Sequence, residues 1–157
     1  MTRTGKVSFF SSTSIENIEA FNNEVAAAYD ASKGDLVFQI AIKSFKFDKQ
    51  LMQEHFNEDY MESDKFPKAS FSGKVVDYTK VDIKKNGSYK VNAAGNMTIH
   101  GVTQKVTIPG TIVVKDGVST FSSNFNVALA DYNIKIPSVA DGKIAKSIAV
   151  TVNAIMK

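Results

Sequence analysis

Ser88-Tyr89-Lys90-Val91-Asn92-Ala93-Ala94-Gly95-Asn96-Met97-Thr98-Ile99 decides the fold class. Tyr89, Val91, Ala93, Gly95, Met97 and Ile99 fall at every second position, and most of the residues between them are polar. A period of two is the pattern of a strand with one face in a core and one in water. At ~3.3 Å per residue such a strand is about 40 Å long.

The same alternation extends outward in both directions, punctuated by turn residues. Downstream, His100-Gly101 turns the chain into Val106, Ile108, Gly110, Ile112 and Val114. Asp116-Gly117 is a hairpin signal leading to Phe121, Ser123, Phe125 and Val127. Asp131 to Pro137 reads as a loop or edge piece, and Ile144 to Met156 as the last strand, with Ile148, Val150 and Val152 on one face. Upstream, Asn86-Gly87 is the strongest two-residue hairpin signal in the chain. Ala69 to Tyr78 alternates through Phe71, Gly73 and Val75, and Leu36 to Lys43 through Leu36, Phe38, Ile40 and Ile42. The phase slips at Ser44, where Phe45 and Phe47 become the next apolar pair, which predicts a bulge or bend. Residues 19–31 combine helix-favouring alanines with a hairpin loop at Ser32 to Asp35, and are read as a strand paired with 36–43. Lys6 to Phe9 opens as a strand. Thr13 to Glu16 fits a capping box and predicts one or two helical turns. One longer helix is predicted over residues 49–66, capped by Asp48, ended by Pro67, striped by Met52, Phe56 and Tyr60, and with a break near Asn57 as an alternative.

About eight strands joined mostly by short turns predict an all-β protein, either a sandwich or a barrel, and the strand length favours a closed barrel. The chain of 157 residues is expected to form one domain over 1–157. Inward positions alternate between small (Gly73, Ala93, Gly95, Gly110, Ser123) and bulky (Phe38, Phe71, Phe121, Phe125, Met97, Ile108). Small residues leave a channel for an apolar ligand, or serve a coiled barrel that turns sharply around a filled core. The alternation alone leaves both readings open.

Composition removes several function classes. There is no cysteine, so no disulfide or thiolate metal site is available. Two histidines without cysteine argue against zinc, and neither a metal nor a cofactor is expected. Residues 1–73 carry a net charge of −3 and residues 74–157 a net of +6, but the single arginine, Arg3, argues against nucleic acid. The acids from Glu54 to Asp64 lack the spacing of a calcium loop and read as a solvated face. No nucleophile elbow or phosphate loop is present. No apolar run approaches the ~18 residues of a membrane helix, so stable membrane insertion is not expected. No leader precedes the first strand, which leaves a cytoplasmic protein or one whose export signal was removed.

Three stretches carry a resemblance. Ser44 to Phe47 followed by Leu51 to Phe56 and Tyr60 to Gly73, then Gly95-Asn96-Met97-Thr98-Ile99-His100-Gly101-Val102-Thr103-Gln104-Lys105, then Asp131 to Pro137, together resemble the YceI-like family. The resemblance implies an eight-stranded antiparallel lipocalin-like barrel with one or two short helices and a long apolar tunnel. It also implies a bacterial, often exported and so periplasmic, binder of polyisoprenoid or related lipid; few ionisable residues fall on the inward positions, so no catalytic residues are expected. The Gly-x-Trp signature of true lipocalins is excluded, because the chain has no tryptophan.

On that reading Phe38, Phe71, Val91, Met97, Ile108, Phe121, Phe125 and Val150 are the candidate walls, with Tyr89 or His100 meeting a polar end. For His100 itself, a ring that bonds nearby backbone at a tight turn is the favoured reading. The expected ligand is an isoprenoid or other long-chain lipid, held for transport, storage or sequestration. A homodimer sharing a protruding chain remains open. The competing readings are a barrel enzyme acting on a small apolar substrate and a stress-response protein with a filled core.

Overall fold

The computed structural model describes residues 2–15, 17–135 and 144–156. Nine strands occur among them: β1 (Thr2–Ser12), β2 (Asn17–Asp30), β3 (Asp35–Ala41), β4 (Lys46–Phe47), β5 (Lys68–Val75), β6 (Gly87–Ile99), β7 (Val102–Lys115), β8 (Val118–Ala128) and β9 (Ser147–Met156). Eight close into an antiparallel barrel in the order β1-β2-β3-β5-β6-β7-β8-β9, with β9 returning to pair with β1. The two-residue β4 adds to the side of β2 through Ala20↔Phe47 and Phe21↔Lys46. Closure leaves the eight long strands without a free edge for most of their length, which removes the template for edge-to-edge association.

The alternation read from the sequence is the inward set. On β6 Val91, Ala93 and Met97 are buried, on β7 Ile108, Ile112 and Val114, on β8 Phe121, Ser123 and Val127. The turns at His100-Gly101 (φ +54° and +74°) and Asp116-Gly117 (φ +51° and +81°) have left-handed backbone at both positions. That geometry matches the right-handed twist of the flanking strands, and it explains why these dipeptides turn the chain tightly. Residues 19–31 fall largely within β2, paired with β3 from Ala26↔Gln39 to Asp30↔Asp35.

β2 also explains why its sequence looked ambiguous. Ile18, Ala20 and Asn22 are buried in one phase, then Val25 and Ala27 in the other. The register against β1 slips between Val7↔Asn22 and Gly5↔Val25. Asn22, wholly buried, holds this bulge: its Nδ2 donates to the Ala41 carbonyl at 3.0 Å and its Oδ1 accepts the Glu24 N–H at 2.9 Å. The bulge bends β2 where its partner changes from β4 to β3.

Three local expectations are corrected and two are made specific. Thr13 to Ile15 form the bend between β1 and β2, not a helix, with the Ile15 N–H on Thr13 Oγ1 at 3.3 Å; Glu16 lies outside the described residues. The longer helix is α1 (Gln50–His55) followed by a π turn over Phe56–Tyr60, and Lys49, not Asp48, is the capping position. Asn86-Gly87 makes no two-residue hairpin: residues 76–86 link β5 to β6, and Asn86 Oδ1 instead accepts the Asp116 N–H at 2.9 Å. The phase slip at Ser44 is a 3-10 turn over Ile42–Ser44. Of the Asp131 to Pro137 stretch, Leu129–Tyr132 is a 3-10 turn, while Ile136 and Pro137 lie outside the described residues.

Candidate functional site

The two ends of the bore differ. At one end Leu36, Val25, Ile112 and Phe121 are completely inaccessible, and Phe38 and Val114 nearly so. The Phe38 and Phe121 ring centroids stand 5.7 Å apart across the interior. Gly110 makes room for this packing, since a Cβ there would lie 2.7 Å from the Phe121 ring. The opposite end is hollow. A cavity of about 170 Å³ is lined by Val7 and Phe9 of β1, Ile40 of β3, Phe71 of β5, Met97 and Ile99 of β6, Phe125 and Val127 of β8, and Ile148, Val150 and Val152 of β9.

The hollow end is roofed by α1 and the π turn. Met52, Phe56 and Tyr60, the apolar stripe of the helix, line the cavity together with Met61. The Met61 N–H reaches the Phe56 carbonyl at 2.9 Å, a five-residue step that widens the last turn. Phe56 is packed against three other rings, with centroids 5.3 Å from Phe9, 5.6 Å from Phe45 and 5.0 Å from Phe47. The roof is also pinned by polar bonds. Gln53 Oε1 accepts the Phe47 N–H at 3.1 Å, and Asn57 Nδ2 donates to the Gln53 carbonyl at 2.9 Å. On the other side Leu129, Ile134 and Ile144 complete the wall.

A polar clasp lies beside the roof. His100 Nδ1 is 3.1 Å from the Tyr132 carbonyl oxygen, its Nε2 is 3.0 Å from Glu62 Oε1, and its ring meets Phe66 edge-on at 4.8 Å. Gln104 Nε2 donates to the Asp131 carbonyl at 2.7 Å. These bonds tie the 56–66 segment and the 129–135 segment to the tip of the β6–β7 hairpin. The His100 hydrogen bond, then the one from Lys65, hold the Glu62 carboxyl below its ordinary value. Burial, with help from Asp131, pushes the Tyr132 phenol up.

Among the described residues no charged side chain lines the cavity, and the polar ones that do are Ser11, Ser70 and Tyr60. Among the described residues no three His, Cys, Asp or Glu side chains gather to hold a metal. Likewise no helix among them is long and apolar enough to cross a membrane.

The sequence-derived wall residues divide between the two ends. Phe71, Met97, Phe125 and Val150 line the cavity. Phe38, Val91, Ile108 and Phe121 are buried but outside its lining. Tyr89 is half-buried and donates to the Lys85 carbonyl at 3.2 Å. His100 sits in the clasp, outside the lining. Sequence reasoning did not assign Phe9, Phe45, Phe47, Met52, Phe56 and Tyr60 to the site. The signal was present in the Met52-Phe56-Tyr60 stripe and in the Phe45-Phe47 pair after the phase slip, but nothing in the sequence said that both close over the bore.

A closed antiparallel barrel with a roofed cavity, uncharged among the described residues, has an interior suited to apolar molecules. The YceI-like domain family matches residues 2–156, and the chain belongs to that family. Among solved structures it is similar to a polyisoprenoid binding domain from Saccharophagus degradans implicated in plant cell wall breakdown (TM-score 0.84, 12% identity, covering 98% of this chain and 93% of that one). It is similar also to BcnA of Burkholderia cenocepacia (TM-score 0.79, 20% identity, 98% and 96%). The YCEI protein of Campylobacter jejuni is a third (TM-score 0.69, 19% identity, 92% and 87%). Among curated proteins none matches the sequence.

Proposed function

We propose that the protein binds the apolar chain of a polyisoprenoid or related lipid inside the barrel and holds it for transport, storage or sequestration. The observation that carries this reading is the cavity wall, built mainly of Phe, Ile, Val, Leu and Met side chains with no charged group among the described residues. Such a wall offers nothing to a polar solute, whereas each methylene moved into it from water contributes about 0.8 kcal/mol. The structural likeness to a polyisoprenoid binding domain supports the same ligand class. We read the protein as a binder and not an enzyme, because among the described residues the cavity wall carries no acid–base pair, Tyr60 being the one ionisable side chain there. On this reading it works in the periplasm or a similar exported location.

Native mass spectrometry of freshly purified protein tests the proposal, with organic extraction of whatever co-purifies. The expected result is an added mass that extracts as an isoprenoid or other long-chain lipid. Phe125→Asp places a charge in the wall at a half-buried position of β8. It is expected to remove the adduct while the far-ultraviolet circular dichroism keeps its β-sheet form. Full lipid uptake by that variant would contradict the assignment of the cavity.

A further inference from the structure

We propose that the bore is blind. Resting on the reading that it binds an apolar chain, we infer that it takes that chain tail first, to a depth of about two isoprene units. The polar head and any further chain length stay outside the roofed end.

The first observation is where the cavity stops. On the strands that contribute to it, the lining stops partway along. On β3 the lining includes Ile40 but not Phe38, on β8 Phe125 but not Phe121, and on β9 Val152 but not Ala154. The level beyond is where the Phe38 and Phe121 rings meet at 5.7 Å, with Phe121 fully buried. Past that pair Leu36, Ile112 and Val114 fill the remaining interior. Gly110 is the enabling residue, because any side chain there would collide with the Phe121 ring.

The second observation is volume. The cavity of about 170 Å³ is slightly larger than a cavity of ~150 Å³ that holds benzene, so it accommodates on the order of six to ten carbons. The third is chemistry. Among the described residues the polar side chains on the wall are two serines and Tyr60, so a phosphate head meets no cation inside, and a quinone or hydroxyl head would exchange water for at most these three hydroxyls. Moving such a head from water to so sparse a set of partners is unfavourable, so the tail leads and the head remains in water.

The test is a binding series with prenol, geraniol, farnesol and geranylgeraniol, each one isoprene unit longer than the last, measured calorimetrically on the full chain. Affinity is expected to rise by at least about tenfold from prenol to geraniol. From geraniol to geranylgeraniol it is expected to change by less than about threefold. Phe121→Ala, and the milder Phe38→Leu, are expected to move the plateau to a longer alcohol, with thermal melts reporting whether each variant is folded. An affinity that keeps climbing to geranylgeraniol in the unaltered protein overturns the blind bore while leaving lipid binding intact. A plateau that both folded variants leave in place overturns the assignment of the stop to those two rings. Failure of every alcohol to bind, with no co-purifying lipid, overturns the underlying reading instead.

Discussion

Asn22 is the residue whose side chain the barrel can least replace. It is fully buried within a mostly apolar strand, and both ends of its amide are bonded to backbone at the β2 bulge. Asn22→Ala removes both bonds and leaves the Ala41 carbonyl and the Glu24 N–H without those partners. Equilibrium urea unfolding is expected to show a loss of about 1–3 kcal/mol, and an unchanged midpoint would refute the role assigned to the bulge. Glu62 is the second residue of consequence. Its carboxyl is depressed below the ordinary 4.5 chiefly by the His100 hydrogen bond, then by Lys65. A depressed folded value means stabilisation fully present above the unfolded value and lost as pH falls through the folded one. The unaltered protein is therefore expected to lose more stability than Glu62→Gln between about pH 6 and about pH 3, as read from urea midpoints of both. Asp30 and Asp64 are depressed as well, by Ser32 and Lys43, so the difference between the two proteins is what isolates Glu62.

At the scale of elements, α1 and its π turn behave as a roof held by one ring. Six helical residues are too few for stability of their own, so packing must hold them. Phe56 supplies that packing through its contacts with Phe9, Phe45 and Phe47. Phe56→Ala is expected to destabilise the roof by about 2 kcal/mol and to do so locally. Hydrogen exchange should then speed up at the Gln53 and Met61 amides, which bond within this segment, while the β6–β7 ladder keeps its protection. Equal acceleration throughout the barrel would show that the roof does not open as a separate unit. The helix was legible as an apolar stripe at four-residue spacing, but its length was not. A π turn carries no distinctive composition, and the boundary was decided by the need to aim both Phe56 and Tyr60 at the bore. Asp48 has the chemistry of a cap, yet the helix starts at Gln50 with Lys49 as its capping position. The two-residue turns were legible because left-handed backbone at both positions restricts the residues allowed there, as at Asp116-Gly117. Asn86-Gly87 has the same chemistry but no pairing strand before it in register, so it did not form that turn.

For the whole molecule, the interior distributes volume against the simplest expectation. Small inward residues left open a channel or a filled core where they lie, and the cavity is lined mainly by large side chains instead. Gly73 and Gly95 face each other across β5 and β6, where a Cβ on either would strike the opposite backbone. Gly110 accepts the Phe121 ring, and Ser123 donates to the Pro109 carbonyl. Those small residues let strands and rings approach closely, so they fill space in place of emptying it. The hollow arises where the wall strands meet a separate roof.

By itself the sequence determined the all-β class, the inward face of most long strands, two tight turns and the family. Each of these rests on local periodicity, on a backbone restriction or on residues near one another in the chain. Only the tertiary structure decided that β1 pairs with β9 to shut the barrel, that Phe38 and Phe121 meet across it, and that Phe56 reaches Phe9 to roof it. Those contacts join residues far apart in the chain, and whether a bore is open or filled depends on side chains from many strands meeting at one height, a quantity no single segment encodes.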